Sequence, residues 1–300
     1  MQNIFEYANA HWLRYNKYEW EKASDGYYYL MAAPDAIPEF YDPMKVVDNL
    51  VLEAVEIGHQ LMEGMSEKKG RERIREYALK YGLLGIMTAL PTTANFFKYE
   101  KVYIPRNIIL REESMDTLAY LKLFFPFRML DVEKVGVNSV WNSHDDDDGY
   151  TKAIMMMQAE RDPEAMYMSF TRDYGERYDW MVSIFRDWAF TLLGTRIYYL
   201  DKDSPSDSDM RMIIERGMSI FENNAPTFHL ELLDRPTLVW DFHSLQMNIK
   251  MMLTLMMTDE TNPIRLCRQC MKPYIADNPD QEFCSRECEQ KFMRESKHQS

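Results

Sequence analysis

All four cysteines of this 300-residue chain fall within 22 residues: Cys267, Cys270, Cys284 and Cys288. Their spacing is C-x2-C-x13-C-x3-C. A C-x2-C pair turns the backbone so that both sulfurs face one point. A C-x3-C pair places two sulfurs on one side of a single helical turn. Four thiolates brought together in this way suit one tetrahedral zinc ion. They leave no coordination position open, so the expected zinc, one per chain, is structural and not catalytic. The second pair opens a helix that continues through Lys291, Phe292 and Arg294, and its N-terminal dipole favours thiolates there. Between the pairs, Tyr274-Ile275 and Glu282-Phe283 are expected to form the arms of a short hairpin, turning at Asp277-Asn278-Pro279-Asp280.

A knuckle, a hairpin and a helix carrying the last two ligands resemble a treble-clef zinc finger. Phe283-Cys284-Ser285-Arg286-Glu287-Cys288, followed by a basic and hydrophobic helix, is the phrase that carries the resemblance. The wider layout is a mostly helical N-terminal region, a long apolar helix and a C-terminal four-cysteine finger. It is similar to that of bacterial proteins with a CGNR-type zinc finger, a family of transcription regulators. That resemblance covers the layout and about 35 residues at the C-terminal end. It implies a non-enzymatic regulatory protein with a macromolecular partner. The sequence departs from the family where Cys-Gly-Asn-Arg would stand: Cys288 is followed by Glu289-Gln290-Lys291. The change removes an arginine suited to phosphate contact.

Three other groupings have chemical meaning. His229-Leu230-Glu231 with Cys267-x-x-Cys270 matches part of the zinc-deaminase pattern, in which a glutamate shuttles protons from metal-bound water. Leu266 replaces the proline of that pattern, and Cys284 and Cys288 would be left without a role, so four-thiolate binding is preferred. His144-Asp145-Asp146-Asp147-Asp148-Gly149 lacks the acids an EF-hand needs at His144 and Met155 and is expected to be a solvated loop. Tyr27-Tyr28-Tyr29 has no adjacent Lys or Arg and is expected to serve in the core or in a protein contact. His11, His59 and His243 each stand singly on expected helices and are taken as packed or hydrogen-bonded side chains. No phosphate-binding loop or nucleophile elbow is present, so no enzymatic activity is expected.

Net charge is -13. Residues 263–298 hold seven Lys/Arg against six Asp/Glu, and the other residues hold 28 against 42. Such a body disfavours broad binding to DNA or to an anionic membrane. A local interface on the terminal module is still expected, using Arg265, Arg268, Lys272, Arg286, Lys291, Arg294 and Lys297 toward DNA, RNA or a protein. The alternative is that the acidic body binds a basic protein, or that an enzymatic site hides in the helical region. No signal peptide or membrane span is read from the sequence, and clustered thiols suit a reducing compartment, so a cytoplasmic location is expected.

The elements that must position the cysteines read as mainly α, with a helical domain over 1–260 and a zinc module over 261–300. Helical spacing is read in 2–22, with an irregular link over 23–41. Asp42-Pro43 opens a helix whose stripe is Val46, Val47, Leu50, Val51, Ala54, Ile57, Leu61 and Met65. A second helix carries Ile74, Tyr77, Ala78, Tyr81 and Leu84. Residues 98–110 read as a hairpin about Pro105-Arg106-Asn107, 112–125 as helix, and 135–151 as a long loop. Helices follow over 176–200, from a linker at 204–209 to about Asn223, and over Pro236–Met257. Twenty-four methionines suit an adaptable core or contact surface.

Overall fold

The computed structural model describes residues 8–9, 11–93, 96, 99–127, 172–200, 208–219 and 226–297. The expected acidic loop 135–151, with His144–Gly149, and the linker before 208 lie outside these residues. Helix accounts for 46% of the described residues and strand for 21%. Strand at that level is ordinary for a globular protein, where it is about 20–25%. The fold is therefore mixed with a large helical share, and the mainly α expectation needs correcting in two places.

The first correction is the N-terminal segment, expected as helix and irregular link. It forms β1 (Ala8–Asn9), β2 (Trp12–Tyr15), β3 (Tyr18–Lys22), β4 (Tyr28–Ala32) and β5 (Pro38–Tyr41). Strand β3 pairs antiparallel with β4, and β2 with β5. The local cause is the Asp25-Gly26 turn. Gly26 takes φ +87°, and Ala23 N–H donates to Tyr27 O at 2.9 Å. An Asp-Gly pair between runs rich in aromatics is a strong hairpin signal and overrides the weak helical spacing on either side.

Next come a 3-10 turn, Pro43–Val46, capped by the Asp42 side chain, and α1 (Val47–Met62). After α2 (Glu67–Tyr81) and the single turn α3 (Ile86–Ala89), β6 (Lys101–Tyr103) pairs with β7 (Ser114–Asp116). The hairpin expected within 98–110 is corrected: β6 is its first arm, but residues 108–110 form no strand and the partner is β7, beyond 110. Asn107 Oδ1 accepts from the N–H groups of both Ile109 and Leu110 and holds those residues in a turn. Asp116 then caps α4 (Thr117–Lys122), shorter than the expected 112–125. Strand β8 (Gly175–Arg177) adds to β4 and leads into α5 (Tyr178–Leu200). Helix α6 (Ser208–Ser219) follows.

The second correction concerns Pro236–Met257, expected as one helix. Its start is a strand, β10 (Pro236–Asp241), between β9 (Thr227–Leu232) and β1. Thr237 and Val239 are buried while Leu238 is exposed, the alternation of a strand and not of a helix. Helix α7 (Leu245–Thr258) begins only at Ser244, whose Oγ accepts from Met247 N–H at 3.0 Å.

Helices α1, α2, α5 and α7 share one core. Leu50, Ala54, Ile57 and Leu61 of α1 meet Met181, Phe185, Trp188 and Leu192 of α5, all buried. Gly58 lets these two helices approach: a Cβ there would stand 1.9 Å from Phe185 O. On the other side of the core, Glu176 is fully buried. It accepts from Leu84 and Ile86 N–H and from the Tyr174 hydroxyl, tying down the loop that Gly85 bends at φ +72°. No described helix is long and apolar enough to cross a membrane.

Strands β11 (Ile264–Leu266) and β12 (Pro273–Ile275) form an antiparallel ladder, and α8 (Arg286–Lys297) ends the described chain. Ile264 and Leu266 are buried in the main core, with Met271 and Ile275 packed against it. The core therefore continues past residue 260 and into the cysteine segment.

Candidate metal centre

The β11–β12 ladder encloses the first cysteine pair. Cys267 N–H donates to Lys272 O at 2.9 Å, and Met271 N–H returns to Cys267 O at 3.0 Å. The turn is so tight that Met271 adopts φ +58°. That conformation costs a non-glycine residue about 1–2 kcal/mol. The Met271 side chain offsets this by packing on the main core, and its sulfur meets Arg196 Nη1 from α5 at 2.9 Å. Arg196 Nη1 also reaches Cys267 O at 3.3 Å, and Lys272 pairs with Glu56 of α1 at 3.3 Å. The knuckle is held to the body by these contacts.

The expected hairpin arms need correction. Tyr274-Ile275 pairs with Ile264-Arg265, before the first cysteine, and not with Glu282-Phe283. The C-x2-C turn itself reverses the chain, so its own flanks are the nearest partners. Residues 281–283 return beside the knuckle by other bonds: Arg268 N–H to Glu282 O at 2.9 Å, and the Tyr274 hydroxyl to Gln281 O at 2.7 Å. Asn278 Oδ1 accepts from Asp280 N–H within the expected turn. This path brings Cys284 over the knuckle. Ser285 then starts α8, its carbonyl accepting from Glu289 N–H at 3.1 Å, and Cys288 faces inward.

The four sulfurs all lie within 4.8 Å of one another. Cys270 Sγ is 3.7 Å from Cys284 Sγ, which is 3.6 Å from Cys288 Sγ. Zinc–sulfur bonds of about 2.3 Å in a tetrahedron require sulfur–sulfur edges of about 3.8 Å. A disulfide requires about 2.05 Å, so the sulfurs are unbonded to one another and stand at a spacing compatible with ligands around an ion. The protonation balance agrees. Burial opposes ionisation of Cys267, but N–H groups of Cys270, Cys284 and Gln269 aim at its sulfur and bring its pKa down to about 6. Cys270 is pushed up by burial, and Cys284 is pushed up by burial and by the neighbouring thiols. One thiolate forms readily, and a cation would draw off the other protons. The residues fit a tetrahedral metal ion.

Among the described residues, no other group of three or more His, Cys, Asp or Glu gathers closely enough to hold a metal. His229 instead bonds Asp241 at 2.7 Å on the β9–β10 hairpin, so the deaminase pattern is not assembled. His243 lies between β10 and α7, not on the expected helix, and meets Thr227 Oγ1; His59 is on α1, 3.7 Å from Glu63. His11 is exposed.

The cationic residues divide. Arg268 is spent inside the module, paired with Glu282 at 2.7 Å and stacked 4.7 Å from the Phe292 ring. Lys272 is taken by Glu56, and Arg265 reaches Pro279 O. Lys291 has only a loose contact, 4.0 Å, with Glu295. Arg286 and Arg294 are exposed on α8, and Lys297 ends that helix.

Two features were not read from the sequence. Arg196 is one cation on a long apolar helix and carries no local sign that it will cap the knuckle. The Tyr27–Tyr29 run has its cations supplied by distant segments: Arg177 stacks 3.7 Å from the Tyr27 ring and Arg71 3.8 Å from the Tyr28 ring. No protein-family model matches the chain, and no curated protein or solved structure is significantly similar to it.

Proposed function

We propose that the four cysteines hold one structural zinc in a treble-clef-like module, and that this module presents the outer face of α8 to nucleic acid in a regulatory, non-enzymatic role. The observation that carries the zinc reading is the 3.6–3.7 Å sulfur spacing. The partner reading rests on the helix surface. Cys288 and Phe292 point inward, with Phe292 packed 5.4 Å from Phe283. At about 100° per residue, the opposite face carries Arg286, Gln290 and Arg294, with Met293 at one edge and Glu287 at the other. Glu287 and Glu289 flank that face, and Glu295 lies on the inner side beside Gln269.

Elemental analysis of protein purified without added metal tests the first part: one zinc per chain is expected, and a zinc content near zero with four free thiols removes the reading. Anisotropy titration with labelled DNA and RNA at low salt tests the second. Binding should weaken steeply as salt rises and should be lost in Arg286→Glu/Arg294→Glu, because phosphate contacts release counterions. A second reading is supported by the body's 28 Lys/Arg against 42 Asp/Glu: the body binds a basic protein. Absence of any nucleic-acid binding at low salt favours that reading.

A further inference from the structure

Among the described residues, strand β9 is the outer strand of the β1-β10-β9 sheet, and all six of its residues are exposed. Its alternation puts Phe228, Leu230 and Leu232 on one face, where they are 64%, 67% and 79% exposed. The register sets Trp240, Leu238 and Pro236 of β10 opposite them, so the apolar face is two strands wide. Edge strands are normally blunted by lysine, proline, a bulge or a covering element. Strand β9 contains no lysine or proline, its register with β10 is unbroken over six pairs, and its one acid, Glu231, lies on the other face with His229.

We infer that β9 pairs antiparallel with β9 of a second copy of this chain, about a two-fold axis through Leu230, so that two three-stranded sheets become one of six strands. Antiparallel pairing keeps facing residues on the same side of the sheet. In this register Leu230 meets Leu230, Phe228 meets Leu232 of the second copy, and His229 meets Glu231 of the second copy. Each charge thus finds its opposite once, and the axis generates two such pairs. The neighbouring registers fail. Centring on His229 sets that residue against itself, centring on Glu231 sets two carboxylates face to face, and a one-residue slip puts Phe228 against Glu231. The local fold prepares the pairing, since Asp241 hydrogen-bonds His229 and raises its pKa, which favours the imidazolium.

Sedimentation equilibrium of the full zinc-loaded chain tests this, with circular dichroism as a check on folding. The wild-type protein should be a dimer. Leu230→Glu should yield monomer, because two carboxylates would meet on the axis. Glu231→Lys should weaken the dimer by about tenfold, since both cross-strand pairs become repulsive. Adding His229→Glu to Glu231→Lys should restore it, because the reversed charges match again. A wild-type chain that stays monomeric overturns the inference, as does a dimer indifferent to Leu230→Glu. Failure of the charge reversal to restore association overturns the register.

Discussion

The two halves of the cysteine segment are held by different forces. The first half, β11 and β12, sends Ile264 and Leu266 into the main core, fixed from outside by Arg196 and Glu56. The second half, residues 277–297, contributes only Phe283 and Cys288, packed on a separate small cluster of Cys267, Tyr274 and Ala276 that belongs to the first half. Its helix is exposed on most sides. Burying a large apolar side chain is worth about 1.5–3 kcal/mol, so the first half has the means to stay folded alone and the second does not. The difference shows what a metal would contribute here: it joins a segment with almost no core of its own to one already anchored.

Metal removal is the largest test of this contrast. Chelation, or Cys284→Ser, should leave residues 284–297 exchanging hydrogen like an unstructured chain while the Ile264 and Leu266 amides stay protected. Hydrogen exchange read by mass spectrometry resolves the two. Loss of the whole far-UV signal at once would break the comparison. Next in size, Leu266→Ala should cost about 2–5 kcal/mol of global stability, the penalty for a cavity in the main core. Phe283→Ala should leave the denaturant midpoint of the body unchanged and affect only the module.

A smaller effect concerns the body itself. Burial pushes the Glu176 pKa up, while donors from Ile86, Tyr174 and Leu84 restrain the shift. A carboxyl group raised in the folded state binds protons more readily there than when unfolded. Its contribution is complete below the unfolded pKa and is lost as pH rises through the folded pKa. Stability of the body should therefore fall from about pH 4.5 upward across that window, and Glu176→Gln should flatten the fall. At neutral pH the same variant should cost about 1–3 kcal/mol, because its amide turns a donor toward the N–H groups of Leu84 or Ile86. Chemical denaturation over a pH series measures both.

Met271→Gly sharpens the contrast most finely. It relieves about 1–2 kcal/mol of left-handed strain but removes the side chain that seats the knuckle. The two effects should nearly cancel in zinc affinity, to within about threefold, while exchange at Cys267 and Lys272 amides rises. A large gain in affinity would mean that the docking contributes little.

Local chemistry was legible where it was self-contained. The cysteine spacing identified the four sulfurs that gather. Asp42 and the stripe of α1 marked that helix, and the long apolar spacing marked α5. The start of α7 was placed at Pro236 and lies instead after Ser244, whose side chain caps it. The N-terminal strands were misread because their aromatic residues also fall at helical intervals; the Asp25-Gly26 turn separates the two possibilities, and it acts only when both flanking strands can pair.

By itself the sequence determined which atoms can bind a metal and which segments carry an apolar stripe, because both depend on residues a few positions apart. Tertiary structure alone decided that Ile264-Arg265 is the partner of Tyr274-Ile275 and that Arg196 caps the knuckle. It also decided that Arg268 and Lys272 are spent within the molecule while Arg286 and Arg294 face outward. Those outcomes depend on which distant surfaces meet, and periodicity along the chain does not contain that information.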